Sequence, residues 1–262
     1  MLHSRYFLLS ILSLSSHARP QIPSNTASLS DPAAKSAYGF TTYHCTDDQH
    51  ARLTSVLQEI EHDMPSVIAE ASKGTTSEYG FSPLFKTNDN SPAVQTLFQR
   101  IANSNTLSVG VITYPITFVC VNLNDEYTIN KLKYWQAHPD VPAAGDSSTN
   151  DIFLFPLFWE LERNPSRCPK LSGGKATPND GRLVDALYGV VVHELADKYL
   201  HFMESRQQAS ESPEFYKIQE CVDLPAEKQV ANAQNFAMFA CGESFPSVVG
   251  DMGELLLSGR RG

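Results

Sequence analysis

No stretch of this sequence is both long and apolar enough to span a bilayer, which takes roughly 20 consecutive apolar residues. Basic runs are missing too. The one Arg-Arg pair is Arg260-Arg261, and a formal charge of −9 with a pI near 5.3 argues against a nucleic-acid partner or an anionic lipid surface. The five cysteines contain no C-x-x-C pair, which speaks against a cysteine-rich structural zinc module. A Gly-x-Ser-x-Gly nucleophile elbow is lacking, since Gly242-Glu243-Ser244-Phe245-Pro246 has no second glycine. Ser172-Gly173-Gly174-Lys175 lacks the spacing of a phosphate loop and reads as a solvated loop. The single Asn-x-Ser string, Asn164-Pro165-Ser166, is blocked as a glycosylation acceptor by its proline. No internal repeat is visible.

What remains is an ordinary globular composition, 42% hydrophobic and 19% charged over 262 residues, enough for one sizeable core. Residues 1–18 read as a signal peptide. Arg5 precedes the short apolar run Tyr6 to Leu14, and Ser16-His17-Ala18 places small residues at a cleavage site. The expectation is a secreted, extracellular protein without a membrane anchor. In an oxidising compartment five cysteines suggest two disulfides and one leftover thiol. Spacing does not give the connectivity; the expected pair is Cys45 with Cys120, tying the first helix to the first strand.

Residues 19–40 are rich in Ser, Pro, Ala and Asn and read as a disordered tail or short pro-segment. A domain is expected over 41–245 and a flexible tail over 246–262. From Thr46 the pattern turns helical, with Leu53, Val56, Leu57, Ile60, Met64, Val67 and Ile68 spaced by threes and fours and a kink expected at Pro65. Ser91-Pro92 opens a second helix carrying Val94, Leu97, Phe98 and Ile101 on one face. Residues 116–122 and 151–155 read as strands, the second free to offer its edge to an extended peptide, and 134–149 as a surface loop. A central helix is expected over 183–204, with further helical segments over 214–221 and 226–240. Helices set apart from a small sheet make an α+β fold, mostly helical, with the sheet beside the central helix.

That helix carries the chemistry. His193-Glu194-Leu195-Ala196-Asp197 follows the spacing of His-Glu-x-x-His, in which two imidazoles one turn apart hold a zinc ion and the Glu acts as general base on its water. Here Asp197 stands in the second imidazole position. Zinc accepts carboxylate oxygen at roughly 2.0–2.2 Å, so Asp197 is a candidate ligand, although its shorter side chain would draw ion and helix together. Its alternative reading is a solvated or salt-bridged helical acid. His201 lies about 12 Å along the axis from His193, too far to share an ion. His44, His50 and His62 have no ligand-pair spacing and read as surface histidines.

Several features resemble, in order and spacing, the fungal secreted deuterolysin-like metalloendopeptidases (aspzincins, lysine-specific type). They are Cys45 before an amphipathic helix, the Cys120 strand, 151–156 running into Leu157-Phe158-Trp159, Cys168-Pro169, the His193-Glu194-Leu195 segment and Asn232-Ala233-Gln234-Asn235-Phe236. The resemblance implies a zincin-like fold and zinc-dependent cleavage of peptide bonds. Carried over residue by residue, His193 is a metal ligand and Glu194 the catalytic base. Asp197 replaces the second His, Glu211 or Glu214 stands nearest to the third ligand, and Tyr216 is the assisting tyrosine. Gln234 replaces an acid and Phe236 a tyrosine of the family pattern. Two functions follow as expectations: a zinc metalloendopeptidase acting on a peptide or protein substrate, or a catalytically degenerate form that engages a protein partner.

Overall fold

The longest element begins where the sequence places a helix cap. Helix α1, Asp47–Ser72, is opened by a reciprocal pair: the Gln49 N–H donates to Thr46 Oγ1 at 3.2 Å and the Thr46 N–H donates to Gln49 Oε1 at 3.0 Å. Two of the orphan donors at this helix start are thereby satisfied. Thr46→Ala removes one of them and is expected to cost about 1 kcal/mol in urea denaturation, without altering the slope. Pro65 does not break the helix. One helix runs through it, and Pro65 is exposed, so the backbone bond it forfeits lies on the solvent side.

The computed structural model describes residues 34–161, 187–204 and 214–241, apart from positions 38, 78, 110, 111, 123–125, 138, 140, 147 and 148. The signal segment, most of the tail, the 170–180 loop, Glu211 and the C-terminal segment lie outside these described residues.

The fold is mixed α+β. Strands β1 (Ala34–Ala37), β2 (Phe40–Tyr43), β5 (Thr117–Cys120), β6 (Ala143–Gly145) and β7 (Asp151–Leu154) form one sheet in the order β1-β2-β5-β7-β6. β2, β5 and β7 run parallel; β1 and β6 pair antiparallel at the edges. Strands β3 (Thr106–Val109) and β4 (Ile112–Pro115) make a separate hairpin. The apolar runs of β5 and β7 are continuous because both faces of the sheet are covered. Phe118, Cys120, Ile152 and Leu154 enter the main core, while Val119, Phe153 and, just past each strand, Val121 and Phe155 form a second cluster against Trp135 and Tyr43. Cys45 and Cys120 are disulfide-bonded across a separation of 75 residues, which ties the start of α1 to the end of β5 as expected. Cys221 is a buried free thiol and Cys241 is also disulfide-bonded.

Several sequence expectations need correction. Residues 134–149 are not all loop: α4, Glu126–Ala137, runs into them and β6 lies within them. Ala143, Ala144 and Gly145 are poor strand formers, and the pairing with β7, not propensity, makes them a strand. β7 therefore sits inside the sheet, and β6 is the edge. Residues 34–40, read as tail, contribute β1 and the start of β2. Residues 214–217 form neither helix nor strand ahead of α7, Ile218–Asp223, and the 226–240 segment is split into α8, Ala226–Gln229, and α9, Ala233–Ala240.

Helices α1, α9 and two others pack together on the main-core face of the sheet, whereas Trp135 of α4 lies against the other face. α3, Ser91–Asn103, lies on α1, and α6, Leu187–Glu204, packs against α1, α3 and α9. Phe81 and Phe85 of α2, Phe81–Phe85, join Phe98, Phe236 and Phe239 in an aromatic cluster at the centre.

Candidate functional site

Helix α6 is buried from Leu187 to Ala196. Its Val190-Val191-Val192 run disfavours helix by propensity, but burial among α1, α3 and α9 overrides that preference. The same packing carries His193 and Glu194 inward, where they are only 8% and 6% exposed.

Both nitrogens of the His193 ring meet protein groups. Nδ1 lies 2.8 Å from Gln234 Oε1, and Nε2 lies 3.2 Å from Glu214 Oε1. The other Glu214 oxygen accepts the Tyr216 hydroxyl at 2.7 Å. The Tyr216 ring stacks on the imidazole with centroids 5.6 Å apart and planes 27° apart. α6, the segment 214–217 and α9 thus converge on one imidazole. Of the residues singled out in the sequence, the structure brings together His193, Glu214 and Tyr216, with Glu194 beside them on α6.

Asp197 is placed differently. A Cβ added at Gly145 of β6 would come within 3.3 Å of Asp197 Oδ2 and 3.0 Å of Lys198 Cε, so Asp197 and Lys198 lie against the edge strand, where a side chain would be tight. Among the described residues no three His, Cys, Asp or Glu side chains are grouped so as to hold a metal ion. The donor atoms His193 Nε2 and Glu214 Oε1 are separated as two ligands of one tetrahedral zinc would be, about 3.3 Å for bonds near 2.0–2.1 Å, and Gln234 fixes the far nitrogen as an outer partner does. Two protein donors fall one short of the three that a catalytic zinc centre takes. The described residues therefore do not complete a zinc site.

The electrostatics follow from burial and crowding of acids. Burial alone would push the His193 imidazolium down, but Glu214, Glu194, Asp197 and the Gln234 bond outweigh it, and the ring is held above its ordinary value. Burial pushes the Glu194 carboxyl up to about 7; the attraction of His193 opposes that rise, and Asp197 and Glu214 add to it. The Tyr216 hydroxyl is raised by burial and by its contact with Glu214, although the residue as a whole is 40% exposed. A carboxyl poised near neutrality beside an imidazole is the kind of group that proton-transfer sites contain.

Sequence reading missed Lys198. Its side chain is 3% exposed, its amine donates to the carbonyls of Asp146 and of Thr149 (3.0 Å to the latter), and burial pulls it below its ordinary value against the opposing pull of Asp197 and Asp146. It pins the β6–β7 turn to α6. Gln234, noted only as a departure from a family pattern, is the residue that orients His193. No signal in the sequence pointed to the first, because a lysine next to Asp197 reads as a surface charge.

A cavity of about 220 Å³ opens elsewhere, lined by Phe40, Leu57, Ile60, Ile101 and Leu195 among others, and none of its lining residues belongs to the His193 cluster. Scanned against protein-family models and against curated proteins, the chain matches none.

Proposed function

We propose that this is an exported protein that binds extended peptide segments of a protein partner beside a metallopeptidase-like cluster, and that it does not cleave them. One observation carries this reading: both His193 nitrogens are engaged by protein groups, Nδ1 by Gln234 and Nε2 by Glu214, with Tyr216 stacked across the ring. Glu214 Oε1 thus stands 3.2 Å from the nitrogen whose lone pair a zinc enzyme would present to its metal.

The peptide preference rests on β6. The Phe155 N–H donates to Pro142 O and the Asp146 N–H to Asp151 O, so in the alternating antiparallel ladder Ala144 faces its partner Phe153. The backbone groups of Ala143 and Gly145 then point away from β7, and β6 closes the sheet on that side among the described residues. An extended segment added there would run next to Asp197 and Lys198 of α6.

The second reading, a zinc metalloendopeptidase with Glu194 as base, is favoured by the 3.2 Å separation of His193 Nε2 and Glu214 Oε1. Metal content separates the two. The purified parent, after exposure to zinc and desalting, is expected to hold well under one zinc per chain and to show no chelator-sensitive peptide cleavage, while Asp197→His raises zinc content. A parent holding one zinc per chain, lost in His193→Ala, would overturn the binding reading.

A further inference from the structure

Gln234 is not the only residue of the α9 start that serves the cluster. Asn232 occupies the N-cap of α9, where an asparagine ordinarily turns its oxygen to the helix's own free N–H groups. It makes no such cap bond. Its Oδ1 instead accepts the Phe215 N–H at 3.1 Å, and its Nδ2 donates to the Phe215 carbonyl, also at 3.1 Å. One amide thus reads both backbone groups of one residue, as a neighbouring strand would, although the segment 214–217 belongs to no sheet. The residues on either side of Phe215 are Glu214 and Tyr216, the two that meet His193.

The clamp is itself held. Asn232 Nδ2 lies 2.6 Å from Asn235 Oδ1, and Asn235 donates to the carbonyls of Leu84 at 2.7 Å and Cys221 at 3.3 Å. Asn232 is 5% exposed and Asn235 fully buried, so these amides have few partners other than one another and the backbone. A buried amide at a helix start that leaves its own helix uncapped to grip a neighbouring segment is placed for that segment.

We infer that Asn232 is a positioning residue. It sets the Glu214–Tyr216 segment against the His193 ring, while Gln234, two residues on, sets the ring, so that one turn of α9 aligns both halves of the cluster. This rests on the reading of that cluster as the functional centre, but the test needs neither bound zinc nor a bound peptide.

The readouts are the His193 Hε1 proton resonance, which the stacked Tyr216 ring shifts, and hydrogen exchange at the Phe215 amide. In Asn232→Ala the ring-current shift is expected to collapse towards that of an exposed histidine, and the Phe215 amide to exchange about tenfold faster or more. Gln229→Ala is the control. Gln229 is an equally buried amide that donates to Pro83, Cys221 and Val222 carbonyls and does not touch Phe215. It is expected to lower stability while leaving both signals in place. Should Asn232→Ala fail to fold, Asn232→Asp keeps the volume and the acceptor for the Phe215 N–H but sets oxygen against the Phe215 carbonyl, and the His193 signal alone should move. Unchanged signals in a folded Asn232 variant, or an equal change in Gln229→Ala, would overturn the assignment. If the signals move as expected and the parent still proves to bind no peptide, the positioning stands and the functional reading falls.

Discussion

At pH 8 the Glu194→Gln variant is expected to melt at a higher temperature than the parent, and the difference should close as the pH falls towards 4.5. The Glu194 carboxyl titrates near 7 in the folded chain against an ordinary value of 4.5. A value raised on folding means that the native state holds the proton longer than the unfolded state does. The contribution is present in full below pH 4.5 and is lost as the pH rises through about 7. Above that, the parent buries an ionised carboxylate at a cost of up to about 3 kcal/mol, which a neutral amide of the same shape does not incur. A shift of roughly 6–12 °C in melting temperature follows for a domain of this size. The His193 imidazole is also raised on folding, so its contribution is lost in the same direction as the pH rises past neutrality. Thermal melts of parent and variant at pH 5 and pH 8 give the answer. A Glu194→Gln variant less stable than the parent at pH 8 would mean that the ionised carboxylate is favourably held in the native state, as it would be beside a bound cation.

The same residue shows why stability speaks to function. A fold that keeps a buried acid at such a cost has a use for it or carries the remnant of one, since glutamine would serve packing better. Tyr216, Glu214 and Gln234 are arranged around His193 with a completeness that packing alone does not require. Asp197, the one position where the sequence departs from the zinc-binding spacing, bears on His193 and Glu194 through its charge while lying against Gly145.

The sequence reveals the helices with strong periodicity and hides the parts that depend on partners. α1 and α3 are legible from the Leu53-to-Val67 and Val94-to-Ile101 stripes, because each has one buried face. β5 and β7 are legible as apolar runs. β6 is not, since Ala143, Ala144 and Gly145 lack strand propensity and become a strand only against β7. The course of 214–217 is not legible either, because the amide that grips Phe215 belongs to Asn232, 17 residues further along the chain. In the site, the family resemblance offers Glu211 or Glu214 and Tyr216 only as candidates, and the meeting of Glu214 and Tyr216 with His193 is a product of the fold. The direction taken by Asp197 is hidden as well, because it follows from the close approach of α6 to Gly145.

Truncation of Phe239 is expected to be the most destabilising of these changes, at about 3–5 kcal/mol for Phe239→Ala. The ring is fully buried and lies within 5.7–5.9 Å, centroid to centroid, of Tyr79, Phe81, Phe85 and Phe98. Its removal loses apolar burial and four ring contacts and leaves a cavity that these rigid neighbours cannot fill. Phe239→Leu keeps much of the volume and should cost less than half as much, about 1–2 kcal/mol. α9 spans eight residues, too few to persist by its own hydrogen bonds, so it stands only because Phe236 and Phe239 anchor it. Its first turn carries Asn232 and Gln234. Loosening the anchor should therefore erase the His193 signature at denaturant concentrations where the sheet is still folded, a local opening ahead of global unfolding. Urea titrations following the His193 resonance and far-ultraviolet dichroism in parallel would show the two transitions part company in Phe239→Ala and coincide in the parent. Coincident transitions in both would mean that α9 and the sheet form one cooperative unit, and that the cluster is held as firmly as the core itself.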